Sequence, residues 1–208
     1  LMFITEKQSL VQPLIEQEKN ASDSEKGKIR QKINNINTEV QKFQNDFKFK
    51  YEDLFFTKLI LANIDPEIPN PPDSLNKEEK QSFRISYYKN HYWDNIDLLD
   101  NQTLRTRFLK KKIDFYLSKV LKYYPVDSIN KSLDFLINLS RDNSDVFEYL
   151  VNYITFYYES SKLMGMDAVY VYLAENYYLN GRCNWIDEKK LKKIREKAEK
   201  IAPNLLGN

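Results

Sequence analysis

Between residues 29 and 47 apolar side chains return every third or fourth position, as Ile29, Ile33, Ile36, Val40, Phe43 and Phe47, with polar and charged residues between them. A repeat close to 3.5 residues draws one narrow stripe along an α-helix and cannot be laid on one face of a strand. Such a stripe needs an apolar partner. Ser22, three residues before Glu25, has the spacing of a capping box and predicts the start of that helix. Upstream, Leu10, Val11, Leu14 and Ile15 form a shorter stripe that can fold back antiparallel, with Asn20 to Asp23 as the turn. At 3.6 residues per turn it covers about two turns of the seam. The remainder falls to the stripe of Leu54, Phe55, Leu59 and Ala62, to a protein partner, or to a second copy in a homo-oligomer. Pro13 obscures where the first helix begins.

Pro66, Pro69, Pro71 and Pro72 end helical patterning, because proline removes a backbone donor and keeps the preceding residue out of the helical region. The expected organisation is a hairpin region over 1–64, a Pro-rich linker over 65–74 and a helical bundle over 75–208. Within the last of these, 77–92 reads as a helix followed by an irregular polar stretch from Asp94 to Gln102. Helical spacing returns at Leu104, Phe108, Leu109, Ile113, Tyr116, Leu117, Val120 and Leu121, then beyond Pro125 at Ile129, Leu133, Leu136 and Ile137. The next helix, with Ser144 or Asp145 as its cap, carries Phe147, Leu150, Val151 and Ile154 on one face and Tyr149, Tyr153 and Phe156 on the other, which predicts a central position. Gly165 and Gly181 bracket a further helix, and Leu191, Ile194, Ala198 and Ile201 define the last. The fold class is therefore all-α: a long, coiled-coil-like hairpin followed by a bundle of short paired helices.

Composition agrees, since 4 Gly in 208 residues leave few of the turns that sheets require. The 32 basic and 30 acidic residues nearly cancel, which argues against a phosphate-dominated partner such as nucleic acid. The basic clusters Arg105, Arg107, Lys110 to Lys112 and Lys189 to Arg195 read as solvated helix faces. No apolar run reaches the roughly 18 residues of a bilayer span. The opening Leu1-Met2-Phe3 leads us to expect an N-terminus that was processed or lies upstream.

Chemistry is densest at His91-Tyr92-Trp93-Asp94, the site of the only histidine. One reading makes His91 a general base or ligand-binding group beside Asp94, with Arg105 contributed by the following helix. The other makes the segment a buried aromatic hinge with its polar tips hydrogen-bonded. Aromatic doublets at Phe55-Phe56, Tyr87-Tyr88, Tyr123-Tyr124, Tyr157-Tyr158 and Tyr177-Tyr178 fit rings that line a groove for a glycan or peptide, but the favoured reading places one ring in the core and one at its margin, because helical neighbours point about 100° apart. Cys183 is the single cysteine and forms no CxxC; Cys183→Ser is expected to leave folding unchanged. No catalytic residue, metal ligand set or cofactor motif is expected.

From Tyr88 onward the sequence resembles an uncharacterised helical domain that immediately precedes a thioredoxin-like domain in envelope proteins of some Gram-negative bacteria. The likeness is carried by His91-Tyr92-Trp93-Asp94-Asn95, Leu104-Arg105-Thr106, Met164-Gly165-Met166-Asp167-Ala168-Val169, Leu173-Ala174-Glu175, Tyr177-Tyr178 and Trp185. The Met-Gly-Met-Asp-Ala run is its most specific part. The resemblance implies that Ala202 to Gly207 lead into a downstream thioredoxin-like domain holding the redox cysteines. It also implies a full-length thiol-disulfide oxidoreductase of the cell envelope, periplasmic or lipid-anchored. This chain would then be a non-catalytic accessory domain whose partner is the attached redox domain; the alternative is an enzyme or ligand-binding module around His91, Trp93 and Asp94.

Overall fold

The computed structural model describes residues 2–51 and 54–205, and among them it contains nine α-helices and no strand. Contacts divide the chain into two compact units, Leu1–Ile64 and Asp65–Asn208. Leu206 and Gly207, the end of the expected lead-in, lie outside the described residues.

In the first unit α1 (Met2–Asn20) and α2 (Asp23–Lys50) pack as an antiparallel hairpin. The Ser22 backbone N–H donates to Glu25 Oε2 at 3.1 Å, and this bond with that of the Ser22 hydroxyl holds the Glu25 carboxyl below its ordinary pKa. Register is marked by the Phe3 and Phe43 rings at 4.7 Å, Lys7 paired with Glu39 at 2.5 Å, and Glu18 paired with Arg30 at 2.6 Å. Pro13 does not shorten α1, which runs through it for 19 residues and covers more than the two turns expected from Leu10 to Ile15. Position 13 is exposed, so water can take the Ser9 carbonyl that proline leaves without an intrahelical donor. The stripe that faces inward on α1 is Ile4, Val11 and Leu14, flanked by Lys7 and Glu18, while Leu10 and Ile15 lie outside it. All six seam residues of α2 remain half-buried, as two helices without a third layer allow. The short α3 (Phe55–Ala62) packs on α2, with Phe56 against Phe47 at 6.1 Å and the Thr57 hydroxyl donating to the Tyr51 carbonyl at 2.5 Å.

The second unit starts with α4 (Lys77–His91), where Asn76 Oδ1 accepts from the N–H groups of Glu78 and Glu79 and the Glu79 side chain accepts from Asn76 N. A 3-10 turn (Asn101–Arg105) leads to α5 (Arg107–Phe115), which widens into a π turn (Tyr116–Val120) closed by Leu121 N–H on the Tyr116 carbonyl at 2.9 Å. Then follow α6 (Val126–Asn138) and α7 (Ser144–Glu159), the latter capped by Asn143 rather than by Ser144 or Asp145. The amide of Asn143 also donates to the Leu99 carbonyl at 2.8 Å and so ties the irregular stretch to the bundle. The last elements are α8 (Asp167–Leu173) with its π turn (Ala174–Leu179), α9 (Glu188–Ile201) and a closing 3-10 turn (Ala202–Asn204).

The core joins Leu109, Ile113 and Leu117 with Ile129, Leu133 and Leu136, then with Leu150, Ile154, Val169 and Leu173. Each such side chain stabilises by about 1.5–3 kcal/mol on full burial. Two helices are central: α7 fully buries Val146, Leu150, Val151 and Ile154 and packs on α6 and α8, as its sequence predicted, and α8 packs on α6, α7 and α9. The π turn of α8 buries both members of the Tyr177-Tyr178 doublet, where one was expected at the margin. Tyr177 reaches Asp134 on α6 at 2.7 Å, Tyr178 reaches Asn152 on α7 at 3.0 Å, and Tyr172 adds a second hydrogen bond to Asp134 at 2.5 Å. A helix with neighbours on several sides has no margin for either ring.

Candidate functional site

His91 and Asp94 meet at the C-terminal end of α4, where one turn of chain brings positions three apart onto one side. His91 Nδ1 lies 2.6 Å from Asp94 Oδ2, and the imidazole stacks on Tyr87 with ring centroids 4.0 Å apart. The pair is open to water, with side chains 40% and 51% exposed. Asp94 therefore orients a solvent-facing imidazole. Arg105 is exposed at the end of its 3-10 turn and forms no ion pair with Asp94 among the described residues.

Tyr92 and Trp93 point the other way. Trp93 is 1% exposed and meets Tyr92 and Tyr116 edge-on at 5.1 Å each, while Tyr92 stacks on Tyr116 at 5.0 Å. The Tyr92 hydroxyl donates to the Lys112 carbonyl at 3.1 Å, and the Lys112 ammonium lies 4.3 Å from the centre of the Tyr92 ring. Burial lowers the Lys112 pKa, an effect that the charge of Asp65 partly offsets. The four consecutive residues thus split into an exposed polar pair and a buried aromatic pair, and only the exposed pair can reach a solute. Among the described residues no cluster of three His, Cys, Asp or Glu side chains could hold a metal ion.

Cys183 is 6% exposed although it sits in a loop. Burial pushes its thiol up to about 12, against the weaker opposing influence of Arg182, so the neighbouring cation does not activate it.

A larger feature lies on another face of α4. A groove of about 830 Å³ runs between α4 and the π turn of α5, with Ile68, Ile85, Phe115, Val120, Tyr123 and Tyr124 as its apolar walls and Arg84 and Lys119 as its charges. No carboxylate lines it, and neither cation forms an ion pair among the described residues. Ile68, Ile85, Phe115 and Tyr123 are all exposed. The Tyr88 phenol, which donates to Asp65 Oδ1 at 2.9 Å, forms part of its inner wall. Sequence reasoning ranked a groove below the core margin for the Tyr87-Tyr88 and Tyr123-Tyr124 doublets and did not place it, although Tyr88, Tyr123 and Tyr124 line it. The alternation of Gln81, Ile85 and Tyr88 on one helical face was the available signal.

A family model described as a domain of unknown function (DUF5106) matches residues 18–204. The chain belongs to this family. The DUF5106 match takes in the last turn of α1, all of α2 and α3, and the second unit through α9, so both compact units are parts of the family's domain. No curated protein and no solved structure matches the chain. The residues that give the DUF5106 chain its polar pair, its aromatic hinge and its groove therefore stand on their geometry alone.

Proposed function

We propose that this DUF5106 chain is a non-catalytic interaction domain of a cell-envelope, thioredoxin-like thiol-disulfide oxidoreductase, periplasmic or lipid-anchored. The redox part of that reading rests on the resemblance stated above. The interaction part rests on one observation, the open apolar groove between α4 and α5 that contains two unpaired cations and no carboxylate. Its occupant is a protein segment that presents apolar side chains flanked by Asp or Glu, since such a segment supplies both the contacts and the charges that the groove lacks. The buried Cys183 suits a domain that holds a partner while another domain exchanges disulfides. Among the described residues no helix is long and apolar enough to cross a membrane.

The test uses the 208-residue chain beside the full-length protein. A dithiol cycle needs two cysteines, so the chain alone should not speed insulin reduction by dithiothreitol, whereas the full-length protein should. Turnover by the isolated chain overturns the non-catalytic reading. Peptides selected from a displayed random library should combine apolar residues with carboxylates and lose affinity when Arg84→Glu and Lys119→Glu are combined. Selected peptides without acidic residues would reject the proposed occupant.

A further inference from the structure

A second cleft, of about 460 Å³, opens between α7, α8 with its π turn, and α9, within the size range of small-molecule sites. Its inner wall holds Thr155 Oγ1, which is buried beside the Tyr178 hydroxyl and makes no well-formed hydrogen bond. The neighbouring Tyr178 hydroxyl donates instead to Asn152 Oδ1 at 3.0 Å, and the Asn152 amide nitrogen makes no hydrogen bond among the described residues. A buried polar atom left unpaired is unfavourable, and a ligand that bonds to it recovers that loss. Phe156, Tyr170 and Ile194 line the cleft with apolar surface. At its mouth Lys190 and Lys193 lie three residues apart on α9, and both are exposed. Neither forms an ion pair among the described residues, whereas Lys197 is engaged by Glu159 at 2.7 Å. Glu159 is the only carboxylate lining the cleft, so its charge is already matched.

We infer that this cleft binds a small organic anion, with its apolar body against Phe156, Tyr170 and Ile194, its charge at Lys190 and Lys193, and a neutral polar group at Thr155 and Asn152. The site is separate from the α4–α5 groove and does not depend on the attachment of a redox domain. Its occupant is defined by three requirements together: negative charge, an apolar core, and one hydrogen-bonding group at the far end.

The probe is 8-anilinonaphthalene-1-sulfonate, an apolar anion whose fluorescence rises when it leaves water. It should bind the folded chain saturably and be displaced by 4-hydroxybenzoate better than by neutral 4-hydroxybenzamide or by inorganic phosphate. Lys190→Glu combined with Lys193→Glu alters two exposed residues and should weaken binding about tenfold or more, while the two Lys→Arg changes should preserve it. Thr155→Val keeps the shape and removes the hydroxyl. It should weaken displacement by 4-hydroxybenzoate and leave displacement by benzoate unchanged. The inference is overturned by absence of saturable binding, by equal competition from 4-hydroxybenzamide or phosphate, or by indifference to the charge reversals on α9. It is equally overturned if Arg84→Glu with Lys119→Glu abolishes the signal instead, because the probe would then occupy the other groove.

Discussion

Trp93 fills the space between Tyr92 and Tyr116 with the largest side chain in the protein, yet its indole N–H is buried without a well-formed hydrogen bond. Its contribution is therefore packing, reduced by the cost of an unsatisfied donor. Trp93→Ala should cost about 3–5 kcal/mol in chemical denaturation, the range of large aromatic truncations. Trp93→Phe should cost clearly less, because it keeps a ring and removes the stranded donor. An alanine effect below about 1 kcal/mol would show that the hinge contributes little to the core. Cys183 follows the same logic. With its thiol held up to about 12, it is protonated at neutral pH while the chain is folded. Ellman's reagent should leave it untouched near about pH 8 and modify it promptly in guanidinium, where the pKa returns to about 8.5. The expectation that serine would be neutral here changes with its burial: Cys183→Ser places a hydroxyl in the core and should destabilise by about 1–3 kcal/mol.

At the level of elements, the hairpin shows what periodicity can and cannot convey. The α2 seam was legible because a single helix with one partner repeats its burial pattern without interruption. The start of α1 was not, because Pro13 signals a break whether or not solvent can satisfy the carbonyl it strands. Sequence patterning also gave no sign that α5 and α8 end in π turns, since one extra residue per turn shifts the pattern by less than the scatter of apolar positions. The 91–94 segment and the α7–α9 cleft differ in the same way. His91 and Asp94 pair within one turn and could be read from spacing, whereas Thr155, Asn152 and Lys190 converge only because α7 and α9 flank one cleft. A prediction belongs to the seam itself. Ile33→Asp together with Val40→Asp puts two charges into a half-buried stripe that α1 covers, so helicity should fall with no change in molecular mass by light scattering. If these changes turn a dimer into a folded monomer instead, the stripe faces a second molecule.

Across the whole molecule the most widespread chemical group is the phenol: 15 tyrosines, many of them in the second unit's core. Burial, above all, pushes Tyr116, Tyr170 and Tyr172 up to about 12. Tyr92, Tyr158, Tyr177 and Tyr178 are raised further for the same first reason, and the Asp134 carboxylate reinforces the shift at Tyr177. An unfolded tyrosine loses its proton near about pH 10. The folded state thus holds these protons more tightly than the unfolded one, and the stability this confers is complete below about pH 10 and is lost as pH rises through the folded values. Because all of these rings except Tyr172 belong to one continuous core, they should not titrate one at a time. The buried set should stay silent until about pH 11–12 and then ionise together, in the same interval in which far-ultraviolet circular dichroism is lost. Phenolate absorbance recorded beside circular dichroism makes the comparison directly. A single smooth titration near about pH 10 with unchanged helicity would mean that water reaches these rings in the native state, and that the tyrosine-rich core does not hold the second unit together in the way its packing implies.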